Sequence, residues 1–174
     1  TPLRLEARII GRPGISLWHV LGPFPLPEGR FRDLPLPPDE EPLDLEAVFQ
    51  APDGTRLTWR PAPRPPELPA DADHLLHFAR LFGRQANRHA AYACATVFSP
   101  VATNAWLSLG ASGGVRVTVN GRHIHSDLER REWAADNLRL PLRLSPGANE
   151  ILVKSIHDEG LWLLSGRVED EAGR

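Results

Sequence analysis

Sulfur is nearly missing from this chain of 174 residues, which has one cysteine, Cys94, and no methionine. A single thiol rules out an internal disulfide and any metal site built on two or four cysteines, and it leaves the compartment open. Lysine is almost as scarce. Lys154 stands alone beside the arginines, a bias that base composition can produce and that carries no function by itself. Nor is there an excess of positive charge, since the formal net charge is −2 and the pI about 6.4. That balance gives no support for a nucleic-acid partner, whose phosphate backbone calls for a strongly basic patch. No stretch approaches the roughly 20 apolar residues of a membrane span, and the chain does not open on a secretory signal. Beginning at Thr1 rather than Met, it is expected to be a processed chain or a module of a larger protein.

What is present in quantity is β-pattern and proline. In GGVRVTVNGRHIHS, residues 113–126, Val115, Val117 and Val119 alternate with Gly114, Arg116 and Thr118, the period of a strand with one buried face. Asn120-Gly121 suits a two-residue type I′ turn, in which both central residues need positive φ. Ile124, between His123 and His125, continues the apolar face on the return strand. Strands are also expected over residues 4–10, 14–21, 92–98, 105–109, 150–156 and 161–168, and Leu138, Leu140, Leu142 and Leu144 alternate up to Pro146-Gly147. Asp53-Gly54 reads as a second tight turn, between AVFQ and TRLTW. The proline-dense stretches 22–42 and 61–69 read as ordered loops within one domain, because strand signals flank both. Residues 71–82 carry helical spacing at Leu75, Leu76, Ala79 and Phe82 with Asp71 or Asp73 as cap, and read equally as an edge strand followed by a turn. Many short strands with turn residues between them predict an all-β, antiparallel sandwich with long proline-rich loops, at most one short helix, and a single domain over 1–174.

The order of motifs is more specific than the periodicity. LWHVLGPFP, AWLSLGASGGVRVTVNGRHIH and LRLSPGANEILVKSIHDEGLWLLSGRV together resemble the galactose-binding-like jelly-roll modules found as accessory domains in bacterial carbohydrate-active and other multidomain proteins. The resemblance spans most of the chain, apart from the proline-rich parts and residues 71–90. It implies a jelly-roll β-sandwich, a carbohydrate or neighbouring protein domain as partner, and an extracellular or periplasmic setting. Such modules often hold a structural calcium ion. Here the loop carboxylates form no recognisable calcium loop, so no cofactor is expected, with a structural calcium ion as the alternative. Ala111-Ser112-Gly113-Gly114, where such modules often carry acidic residues, is a departure that bears on the ligand site.

Sugar recognition asks for flat aromatic faces and for side chains that hydrogen-bond hydroxyls. Trp18 and Trp162 fall in motif strands and read as core, and Trp106 is out of phase with Leu107 and Leu109. Trp59 and Trp133 are the exposed candidates, each equally readable as a lid packed over the sandwich. Arg116, His123 and His125 are added because alternation sets them opposite the valines. The two histidines, on one side of a strand, could supply two metal ligands, with Asp127 or His157 as a third, although such pairs are more often solvated. Catalysis finds little support. His89 cannot reach Cys94 along an extended strand, and Glu40-Glu41 and Asp158-Glu159 read as solvated turn charges. The expected function is a non-catalytic accessory module that binds carbohydrate or a similar polar ligand through Trp133, Trp59, Arg116, His123 and His125. The alternative is a structural domain packing against a neighbour or a second copy.

Overall fold

The computed structural model describes residues 14–15, 17–28, 34–64, 74–83 and 87–170; the strand expected over 4–10 and the caps Asp71 and Asp73 lie outside them. The elements run β1 (Leu17–Pro25), α1 (Pro37–Glu40), β2 (Val48–Gln50), β3 (Arg56–Thr58), β4 (Arg60–Pro63), β5 (Leu76–His77), α2 (Phe78–Leu81) and β6 (His89–Ser99). There follow β7 (Thr103–Ala111), β8 (Gly114–Val119), β9 (Arg122–Asp127), β10 (Leu138–Leu144), β11 (Gly147–His157) and β12 (Leu163–Glu169). The fold is all-β. A six-stranded sheet, β4-β1-β6-β11-β8-β9, packs on a four-stranded one, β10-β7-β12-β5, and every ladder is antiparallel. Among the described residues no helix is long and apolar enough to cross a membrane.

Alternation explains the interior. Ala91, Ala93, Ala95 and Val97 of β6, Val115, Val117 and Val119 of β8, and Ile151 and Val153 of β11 share one buried cluster with Leu107 and Leu109 of β7, Leu140 and Leu142 of β10, and Leu164 and Val168 of β12. Successive side chains of a strand point to opposite faces, so the residues between these face outward. The expected hairpin closes as its sequence demands, with φ of 50° at Asn120 and 73° at Gly121.

Three local expectations change. The proline-dense stretches 22–42 and 61–69, read as loops, begin as strand: β1 runs on through Pro25, and residues 61–63 lie in β4 at the sheet edge, where a missing N–H is tolerated. The helical spacing over 71–82 resolves into its other reading: β5 pairs with β12 at the sheet edge, and only Phe78–Leu81 turns as a helix. Burial decides this, because the strand-then-turn path sends Leu76 and Phe78 into the core, both at most 1% exposed. A second single-turn helix, α1, arises inside the proline-rich loop, so there are two short helices rather than at most one. Proline suits a first helical turn, where its missing N–H is not needed, and the Leu36 N–H donates to the Asp39 carboxylate at 2.9 Å.

The end of the first proline-rich stretch and the β2–β3 hairpin that follows it form a lid, residues 34–59. It brings Leu36, Phe49, Leu57 and Trp59 over the outward-facing Tyr92 and Cys94 of β6, Ile156 of β11, and Leu21 and Phe24 of β1, making a second buried apolar cluster. Inside the lid, β2 and β3 form a hairpin around Asp53-Gly54 that makes a sheet of its own.

Candidate functional site

The lid does not reach the far edge of the six-stranded sheet. Between it and the outer face of β8, β9 and β11 lies a cleft of about 470 Å³. The sheet side is dictated by alternation: with Val115, Val117 and Val119 inward, Arg116 and Thr118 face out, and Glu150 and Leu152 do the same on β11. The lid supplies Asp39, Glu41 and Leu43 with their flanking prolines. The lining is mixed: Leu43, Leu152 and two prolines stand beside a guanidinium, an imidazole, a hydroxyl and three carboxylates, with no Phe, Tyr or Trp ring.

Several of these side chains are held in place. Ser126 Oγ lies 2.7 Å from His123 Nε2 and accepts from Arg116 Nε at 3.4 Å, so one hydroxyl links the two cationic-capable residues of the floor. Asn120 is committed to the hairpin: its side-chain oxygen accepts from the Glu150 N–H at 2.8 Å, and its amide donates to Asn149 Oδ1 at 2.9 Å. On the lid side, Asp39 accepts from the Lys154 ammonium at 2.5 Å. Burial pulls the Lys154 ammonium below its ordinary value, the Asp39 carboxylate opposes that shift, and the Arg116 charge adds to it. Burial, with Asp39 nearby, drives the Tyr92 phenol far above its ordinary range.

Of the five residues expected to bind ligand, the structure brings two together. Arg116 and His123 line the cleft. His125 does not join them, because the strand period is broken: β9 carries an extra residue between the pairs Val117↔His125 and Thr118↔His123. A bulge of this kind turns side chains that simple alternation would align. His123 therefore shares the outer face with Thr118, while His125 is opposite the fully buried Val117, with its Nε2 buried too. The same bulge separates the two imidazoles proposed as metal ligands, and His157 is stacked on Trp162 in the interior, ring centroids 4.9 Å apart. Among the described residues, no three His, Cys, Asp or Glu side chains gather to hold a metal ion.

The two tryptophans lie elsewhere. Trp59, 8% exposed, is part of the apolar layer beneath the lid, so its ring has no free face for a sugar and the packed-lid reading applies. Trp133 is half-buried on the opposite side of the sandwich, in a strap over the outer face of the four-stranded sheet. Its seat is Gly110, where a Cβ would stand 2.9 Å from the indole nitrogen and 2.8 Å from the Ala134 carbonyl oxygen. Asn137 anchors the strap through two hydrogen bonds with the Ala111 backbone, at 2.8 and 3.1 Å. Charges on that face largely neutralise each other: Arg167 pairs with Asp136 and Glu169, and its guanidinium holds the Glu169 carboxyl below the usual range. Arg139 lies over the Trp106 ring, 4.5 Å from its centroid.

Sequence reasoning missed Asp39, Glu41, Thr118 and Glu150. Thr118 and Glu150 were readable from strand phase, whereas Asp39 and Glu41 sit in a proline-rich loop whose position only folding defines.

Compared as a sequence, the chain matches no protein-family model and no curated protein. Compared as a structure, it is similar to the PA14 domain of the antifreeze protein MpAFP, at 13% identity and a TM-score of 0.44 over 52% of this chain and 47% of that one. It is similar to a family 35 carbohydrate binding module from Clostridium thermocellum, at 23% identity and a TM-score of 0.38 over 48% of this chain and 73% of that one. A β-glucuronidase from Faecalibacterium prausnitzii is similar at 15% identity and a TM-score of 0.43, over 90% of this chain and 22% of that one. The chain thus spans less than half of the first protein and about a fifth of the last, and likeness at this level transfers neither ligand nor activity.

Proposed function

We propose that this protein is a non-catalytic accessory module that binds carbohydrate, or a similar polyhydroxylated ligand, in the cleft between the lid and the outer face of β8, β9 and β11. The observation that supports this is the lining: Arg116, Thr118 and His123 offer donors, Glu41 and Glu150 offer acceptors, and one recess of about 470 Å³ presents them together. Sites for small polar ligands are concave and use a few placed polar groups for orientation. With no Phe, Tyr or Trp ring in the lining for a sugar to stack on, affinity has to come mainly from hydrogen bonds that water also competes for, so binding is expected to be weak. Trp133 and Trp59 have no part in this cleft.

A glycan-array screen of the purified protein, followed by calorimetry on any sugar that binds, tests the reading. Arg116→Ala is expected to weaken binding at least about tenfold, the loss of one charge-assisted hydrogen bond. Its thermal stability should stay close to that of the wild type, because Arg116 is exposed. A blank array from a folded sample would overturn the proposal and favour the alternative of a domain that packs against a neighbour.

A further inference from the structure

One charged side chain passes through the apolar layer under the lid. Lys154 is on β11, in phase with Leu152 and Ile156, and is 3% exposed. Its ammonium donates to Asp39 Oδ2 at 2.5 Å and to the Leu34 carbonyl at 2.9 Å, and stands 5.7 Å from the centroid of the Tyr92 ring. Both acceptors belong to the lid, and Asp39 also lines the cleft. The group that Lys154 grips is therefore a piece of the cleft wall.

We propose that Lys154 is the positioning residue of the cleft: by holding Asp39 and Leu34 it fixes the lid wall, residues 38–43, against the sheet, and loss of that hold lets the lid open while the sandwich stays folded. The consequence for binding rests on reading the cleft as the ligand site; the clamp itself does not. Two features make the lid separable. Its β2–β3 hairpin shares no ladder with either large sheet, so the hairpin is held by side chains rather than by backbone pairing. Its apolar cluster is also distinct from that of the sandwich interior. Segments attached in this way open at lower free energy than the strands of a core. A buried ammonium is tolerated only where acceptors meet it, and here the lid brings them.

The chain carries its own reporter of lid opening. Cys94, the only thiol, lies in the same layer and is 1% exposed. Burial, with Glu150 adding to it, pushes its thiol up to about 12, so in the closed form it has almost no reactive thiolate.

The experiment measures the rate of Cys94 labelling by the disulfide reagent DTNB in the whole chain at pH 8, together with amide exchange followed by mass spectrometry. Asp39→Asn keeps an oxygen for the Leu36 N–H but leaves the ammonium without its counter-charge. Labelling should rise by about a hundredfold, the scale of stranding a buried charge. Exchange over residues 34–60 should rise with it, and exchange in β7 and β12 should not. If Asp39→Asn does not fold, Lys154→Met tests the same clamp from the other side, with labelling up by about tenfold. The double variant Asp39→Leu with Lys154→Met strands neither charge and should bring labelling back toward the wild-type rate. Wild-type labelling in the single variants, or exchange in β7 and β12 rising in step with labelling, would overturn the clamp. A blank glycan array removes the binding reading but leaves these rates to decide the clamp on their own.

Discussion

Inside the sandwich, Val115, Val117 and Val119 meet Leu107 and Leu109 because each strand alternates and the two sheets face each other. Beneath the lid, Leu36, Phe49, Leu57 and Trp59 meet Tyr92 and Cys94 only because a proline-rich loop folds back over the sheet. The same kinds of side chain are buried in both places, yet one layer is tied together by ladders up to eleven residue pairs long and the other by side-chain contacts and a buried ion pair. The interior should therefore unfold as a unit, and the outer layer should yield locally.

The largest effect is expected at Trp162, 1% exposed, which donates to Ser155 Oγ at 2.9 Å. Trp162→Ala should cost about 4 kcal/mol and lower the urea midpoint with every probe moving together. Separate transitions for the two layers in that variant would break the comparison. The next is a pH effect in the same interior. Burial pulls the His157 imidazole down to about 4, with Asp158 opposing and His89 assisting. Because the unfolded chain takes up this proton first, near pH 6.5, the stability tied to neutral His157 is intact above that pH. It drains away as pH falls toward about 4 and changes no further below it. The loss amounts to about 3 kcal/mol at most, and in His157→Gln the slope of stability against pH across this window should shrink accordingly. The smallest effect should be in the outer layer. Leu57→Ala should cost about 2 kcal/mol and appear mainly as faster amide exchange over residues 34–60, with β7 and β12 unaffected. Equal acceleration in both regions would show that the lid is no separate unit.

How far the sequence reveals each part follows from the range of the forces involved. The β8–β9 hairpin was legible because alternation and an Asn-Gly turn are local properties, and the Leu138 to Leu144 strand was legible for the same reason. The edge strand β5 was only half legible, since Leu76 and Phe78 suit a helix face as well as a strand followed by a turn until a neighbouring sheet competes for them. The site was least legible. His123 and His125 look equivalent in sequence, but a single extra residue in β9 sends them to different faces. Trp59 looks exposed beside a proline cluster, but it packs with Leu36, Phe49 and Leu57 in the apolar layer of the lid. The lone lysine looked like a compositional accident, and it proves to be the buried contact between sheet and lid.

Strand phase, turn chemistry and the order of apolar residues were thus determined by the sequence itself, because they depend on neighbours a few positions apart. Which residues form the cleft was decided by tertiary structure. Asp39 and Arg116 are 77 positions apart in the chain, and their meeting depends on a lid held by long-range burial and one ion pair, which no local pattern encodes.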